Sequence, residues 1–120
     1  TGPYVQYTNA RAQSILRKAA AQGIEFEHGE YLLNDNYAWT VVKQLERFPE
    51  VIKEASDRFE PSVIAKYTLK LAQAFNKYYG NSKILQDDEQ LNARLALVKA
   101  TSTVLTEGLA LLGVKAPKQM

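Results

Sequence analysis

At 120 residues, 46% of them hydrophobic and none of them cysteine, the chain is long enough to bury one core and has no means of forming a disulfide or a thiolate metal site. No apolar run reaches the length of a membrane span, and the opening lacks the basic, apolar and small-residue order of a secretory signal. The net charge of +2 hides an uneven distribution: residues 1–24 carry Arg11, Arg17 and Lys18 and no acid, residues 25–60 carry nine acids against four bases, and residues 61–86 carry Lys66, Lys70, Lys77 and Lys83, again with no acid.

The periodicity is helical almost throughout. A first helix is expected from Pro3 to Gln22, since proline suits a first turn and Gly23 can adopt the left-handed conformation that ends one. Its inward stripe is Val5, Ala12, Ile15, Leu16 and Ala19. Residues 24–36 read as a connection, with Gly29 and Asn34-Asp35-Asn36 as turn signals and Asn36 as the cap of a second helix built on Ala38, Val41, Val42 and Leu45. Trp39 is expected in the core or at its edge. Phe48-Pro49 should break the second helix, and Pro49 should open a third through Arg58.

Pro61 should open a fourth helix that runs to Tyr79 and stops at Gly80-Asn81, burying Ile64, Leu71, Ala72 and Phe75. The last helix follows Asp87 or Asp88 as its cap, with Leu91, Leu95, Val98, Ser102, Leu105, Leu109 and Leu112 forming an inward seam that Gly113 ends and Pro117 keeps from resuming. The expected fold class is all-α, a bundle of about five helices in one domain spanning residues 1–120.

Catalytic constellations are missing from this pattern. The one histidine, His28, stands in an acidic run, Glu25 to Glu30, that reads better as a solvated loop than as a metal site. The six glycines are scattered, so no phosphate-cradling loop is formed. No catalytic residue, metal or cofactor is therefore expected within the chain.

Two surfaces carry more information. At about 100° per residue, Tyr4, Tyr7, Arg11, Ser14 and Lys18 share one narrow stripe on the first helix, beside the apolar one. Such a stripe suits single-stranded RNA, whose unstacked bases lie on aromatic rings while a guanidinium meets phosphate or a base plane. It equally suits tyrosines that edge a core with their hydroxyls in water. The end of the fourth helix repeats the theme with Lys77, Tyr78, Tyr79, Asn81 and Lys83; adjacent tyrosines point about 100° apart, so one can be buried while the other is displayed. A phosphate backbone would favour the two acid-free segments if they fold side by side.

The opening Thr1-Gly2-Pro3-Tyr4-Val5-Gln6-Tyr7 with Ala10-Arg11 and Ser14 to Ala19, the block Leu71 to Asn76 with Tyr78-Tyr79, and the closing run Ala93 to Val98, Val104-Leu105, Gly108-Leu109, Leu111 to Val114, Ala116-Pro117 and Met120 resemble, in that order, the anticodon-binding domain of arginyl-tRNA synthetases. The resemblance spans the whole chain and implies the C-terminal piece of a cytoplasmic class I ligase that joins arginine to its tRNA using ATP with magnesium. Its partners would be the anticodon loop of arginine-accepting tRNA and the catalytic domain of the same polypeptide.

Carried over residue by residue, the resemblance makes Tyr4 and Tyr7 loop-contacting tyrosines, gives the Tyr78-Tyr79 position another aromatic contact, and sets Met120 near the loop. Arg11 takes a backbone or positioning role. Gly80 stands where the family often has asparagine, and Asn81 is the nearest amide, with Lys83 beside it. The His-Ile-Gly-His and Lys-Met-Ser-Lys signatures of class I enzymes do not occur, so the chemistry is expected from sequence outside these residues, and the chain alone should be inactive. Two alternatives stand beside this reading: the anticodon domain of another class I synthetase, such as the cysteine or methionine enzyme, and a helical protein-interaction module.

Overall fold

The computed structural model describes residues 2–27 and 33–113. Among these residues lie five helices: α1 (Gly2–Ala21), α2 (Asn36–Glu46), α3 (Phe48–Arg58), α4 (Pro61–Asn81) and α5 (Leu91–Leu111). Gly23 and Gly113 take left-handed φ values of 74° and 78°, the conformation that lets the chain leave α1 and α5 without a side-chain clash. Pro49 and Pro61 sit in the first turns of α3 and α4, where a missing amide hydrogen costs nothing.

The long helices are ordered by contacts far apart in sequence. Asn9 of α1, fully buried, donates to the Thr106 hydroxyl at 2.9 Å and accepts from the Ser102 hydroxyl at 2.7 Å. At the far end of α1 the Glu27 amide meets the Asn92 side chain at 3.0 Å, so α1 and α5 run antiparallel. α4 is also antiparallel to α5, since Gly108 packs on Thr68 while Arg94 reaches Ile84. α1 and α4 therefore run in the same direction, side by side against α5.

α5 is the central element. Of the expected seam, Leu95, Val98, Ser102, Leu105 and Leu109 are buried and Leu91 and Leu112 at its two ends only partly so, while Ala96, Leu97, Thr101 and Gly108 beside it are buried as well. Four successive buried residues from Leu95 to Val98 cannot share one helix face, so α5 is covered on several sides, by α1, α4 and α2. The close approach of α4 depends on Gly108: a Cβ there would stand 2.5 Å from the Thr68 methyl, which belongs to a stiff β-branched side chain. We expect Gly108→Ala to cost about 1–2 kcal/mol through overpacking, net of alanine's better helix propensity. Adding Thr68→Ser, which deletes the methyl and keeps the hydroxyl bond to the Ala65 carbonyl, should recover most of the loss in urea unfolding.

Several sequence expectations are corrected at the helix ends. Asp35, not Asn36, caps α2: its carboxylate accepts from the Tyr37 and Ala38 amides at 2.8 and 3.4 Å, while Asn36 is already the first helical residue. The same carboxylate takes the Ser82 hydroxyl, tying the end of α4 to the start of α2. α4 continues through Gly80 to Asn81, whose side chain donates to the Lys77 carbonyl at 2.7 Å and satisfies one of the terminal acceptors. Asp88 accepts from the Gln90 amide at 2.9 Å but lies before the cap position of α5, and its carboxylate is taken up by Arg94.

Trp39 is 48% exposed, because α2 turns only Ala38, Val41 and Val42 fully inward and Trp39 falls on its outer side. Leu16 is half-buried, packed against the core and not within it. Pro117 and His28 lie outside the described residues.

Candidate nucleic-acid interface

The seam between α1 and α4 collects the side chains that the sequence singles out. Tyr4 and Tyr7 project from the first two turns of α1 and Tyr79 from the last turn of α4; they are 41%, 51% and 41% exposed. Arg11 lies between two of these rings, its guanidinium carbon 4.3 Å from the Tyr79 ring centre and 5.4 Å from that of Tyr7. Both distances are within cation–π range, worth about 0.5–1 kcal/mol each at sites open to water.

Asn76 fixes the group from below. Its carbonyl oxygen accepts from the Arg11 guanidinium at 2.9 Å, and its amide nitrogen donates to the Tyr4 and Thr8 hydroxyls at 2.9 and 2.8 Å. Thr8, fully buried, in turn donates its hydroxyl hydrogen to the Tyr4 carbonyl at 2.9 Å. The Asn76 amide and the Thr8 hydroxyl spend their hydrogens within the group, and the Tyr4 hydroxyl does not. The Tyr4 hydroxyl accepts from Asn76, so its own hydrogen remains available to an incoming acceptor. The site thus presents three aromatic rings, a guanidinium plane between two of them and one directed hydroxyl donor, all on well-packed helices.

The remaining candidates divide. Tyr78 is fully buried and packs edge-on to Phe75 with ring centres 6.3 Å apart. Burial pushes its hydroxyl pKa well above the ordinary tyrosine value, against the lowering influence of Arg94 nearby. Its ring therefore belongs to the core, and of the adjacent pair only Tyr79 is displayed. Asn81 is exposed, but its amide is engaged with Lys77 of its own helix, and Lys83 is exposed beyond the helix end. Met120 lies outside the described residues. Ser14 and Lys18 continue the α1 stripe, the first half-buried and the second exposed in the last turn, where a cation suits the helix dipole.

Asn76 braces this group, a part that the sequence pattern does not reveal. Its spacing of three before Tyr79 puts both toward α1, a clue that becomes informative only once α1 and α4 are known to be neighbours. No cluster of three or more His, Cys, Asp or Glu side chains able to hold a metal ion is found among the described residues, and no described helix is long and apolar enough to cross a membrane.

Residues 5–120 match the profile of the family described as the DALR anticodon binding domain. Over all 120 residues the chain is 62% identical to an arginine–tRNA ligase of Lactobacillus acidophilus, and it is 58% identical to arginine–tRNA ligase 1 of Bacillus cereus. In both cases it spans 21% of the relative's length. Among solved structures it superposes on the arginyl-tRNA synthetase of Thermus thermophilus with a TM-score of 0.88 at 38% identity, covering 100% of this chain and 21% of that one. A putative arginyl-tRNA synthetase of Campylobacter jejuni gives a TM-score of 0.85 over 98% of this chain and 26% of its own, and at 20% identity that likeness concerns the fold alone.

Proposed function

The chain belongs to the DALR anticodon-binding domain family, and from that membership we propose that it is the tRNA-gripping domain of a longer arginine–tRNA ligase, contacting the anticodon loop through Tyr4, Tyr7, Arg11 and Tyr79. The observation that carries the reading is the placement of Arg11 between the Tyr7 and Tyr79 rings, braced by Asn76. A guanidinium held in that position keeps both rings apart and upright, so that their outer faces are offered to unstacked bases. The ordering cost of the site is met in folding, and binding is the stronger for it. The Tyr4 hydroxyl hydrogen supplies a donor for the O2 or N3 acceptors of a cytosine, which is the base expected at the middle of an arginine anticodon.

Tyr78 drops out of the contacting set because its ring is enclosed, and Asn81 and Lys83 fall to its margin. Met120 keeps its proposed place near the loop on the resemblance alone. The described residues offer no Gly-rich cradle and no group of His, Cys, Asp or Glu placed to hold a metal ion. We assign ATP and magnesium, and the joining of arginine to tRNA, to the remainder of the cytoplasmic parent enzyme, which leaves this domain to position the tRNA.

The test is fluorescence-anisotropy binding to arginine-accepting tRNA, beside the same tRNA with its middle anticodon cytosine changed. Tighter binding of the unaltered tRNA, falling steeply with salt, is the expected result. Failure to bind either RNA, or binding of a protein partner with little salt dependence, would overturn it.

A further inference from the structure

We propose that the outer face of α4 is a sequence-independent track for the phosphate backbone of the same RNA, starting level with the tyrosine site and leading to a cleft against α3. The inference rests on the RNA-binding reading above. Lys66, Lys70, Gln73 and Lys77 recur at spacings of four, three and four, which on a helix keeps them within one narrow sector. All four are exposed. Lys77 lies between Asn76 and Tyr79 in sequence but about 100° and 160° round the helix from them, so the stripe begins level with the base-stacking site, on the outer side of α4, and continues for roughly 16 Å down the helix axis.

At its far end the stripe enters a cleft of about 450 Å³ that Arg47, Arg58, Ser62, Lys66 and Lys70 help to line. Two carboxylates, Glu54 and Glu60, share that cleft, and both are engaged by Arg58 at 3.0 and 3.3 Å. Arg47 spends one donor on the Gln44 side chain at 3.1 Å, and its guanidinium sits 6.0 Å from the Tyr67 ring. Among the described residues no ion pair to Lys66, Lys70 or Lys77 is found. Lys66 and Lys70, four apart on one helix face, repel each other, an arrangement that disfavours the free helix and is relieved by a polyanion.

Track and base site differ in chemistry. Stacking on Tyr7 and Tyr79 involves bases, whereas ammonium groups at helical intervals meet phosphates whatever the bases are. The track therefore supplies grip and register, and the tyrosine site supplies discrimination.

The experiment is a salt titration of binding to arginine-accepting tRNA for the unaltered chain, for the triple variant Lys66→Ala, Lys70→Ala, Lys77→Ala, and for Tyr7→Ala. Since all three lysines are exposed, thermal unfolding of the triple variant should match the parent and so exclude a folding defect. The triple variant should bind more weakly, with a slope of log K against log salt shallower by about two to three units. Its loss should be the same, within about twofold, for tRNA with the middle cytosine intact or changed, as uniform phosphate contacts require. Tyr7→Ala should lose affinity with its slope unaltered.

An unchanged slope in the triple variant, or a loss confined to the tRNA that keeps its cytosine, overturns the track while leaving the tyrosine site standing. Absence of RNA binding by the unaltered chain overturns both.

Discussion

An Arg94→Met protein should unfold about 1–3 kcal/mol more readily than the parent in urea, the scale for leaving buried carbonyls without a donor. Arg94 is 7% exposed, and its guanidinium is the hub of the segment between α4 and α5. Its Nε donates to the Ile84 carbonyl at 2.8 Å, one terminal nitrogen donates to the Gln86 carbonyl at 2.6 Å and to Asp88 at 2.7 Å, and the other reaches the second Asp88 oxygen at 3.3 Å. Methionine fills the apolar part of the space, leaves two backbone carbonyls without donors and takes the Asp88 carboxylate's cationic partner away, while the Gln90 amide still donates to it. Arg94→Lys should recover little, because one ammonium cannot reproduce a planar fork aimed at three acceptors. A loss below about 1 kcal/mol in Arg94→Met would show that the carbonyls find water instead.

The same cluster gives the stability a pH dependence. The hydrogen bond from Arg94 holds the Asp88 carboxyl below its ordinary pKa, with the Gln90 amide acting in the same direction. A depressed folded-state pKa means that the folded protein binds its proton later than the unfolded one. The contribution of Asp88 is thus complete above about pH 4, the unfolded-state value, and disappears as the pH falls through the folded one. In Asp88→Asn the acid limb of the stability curve should be flatter, by titration followed with circular dichroism.

The helices were legible because the signals for them are local. Gly23 and Gly113 end helices through their own dihedral freedom, and Pro49 and Pro61 open them through a missing hydrogen, so neighbours hardly matter. Gly80 carries the same sequence signal as Gly23, yet α4 runs through it: Asn81 satisfies the Lys77 carbonyl from within the helix, and Ser82 is bound by Asp35 from another element. Trp39 illustrates the converse error, since hydrophobicity alone assigns it inward while the 11-residue α2 has room for only three fully buried positions.

The site divides in the same way. The stripe of Tyr4, Tyr7 and Arg11 is a property of one helix and can be read from spacing. The bracing by Asn76 requires that α1 and α4 be parallel neighbours, a fact that arises from what each buries against α5. Arg94 was legible as part of a recurring block and illegible as a hub, because its acceptors are backbone carbonyls, which carry no sequence signature.

Tyr7→Ala should weaken binding to arginine-accepting tRNA by about 1–3 kcal/mol, the scale of a lost base–aromatic stack, while leaving the fold intact because half of the ring is already in water. Arg11→Ala should lose a comparable amount without any direct contact with a base being required, since its removal frees both the Tyr7 and Tyr79 rings and leaves the Asn76 carbonyl without its donor. The two effects should not add. If Arg11 acts by holding Tyr7, then the double variant should bind little worse than Arg11→Ala alone, a coupling of about 1 kcal/mol or more in the mutant cycle. Additive losses would mean instead that Arg11 meets RNA directly and that Tyr7 stacks unaided, and normal binding by folded Tyr7→Ala would remove Tyr7 from the interface altogether.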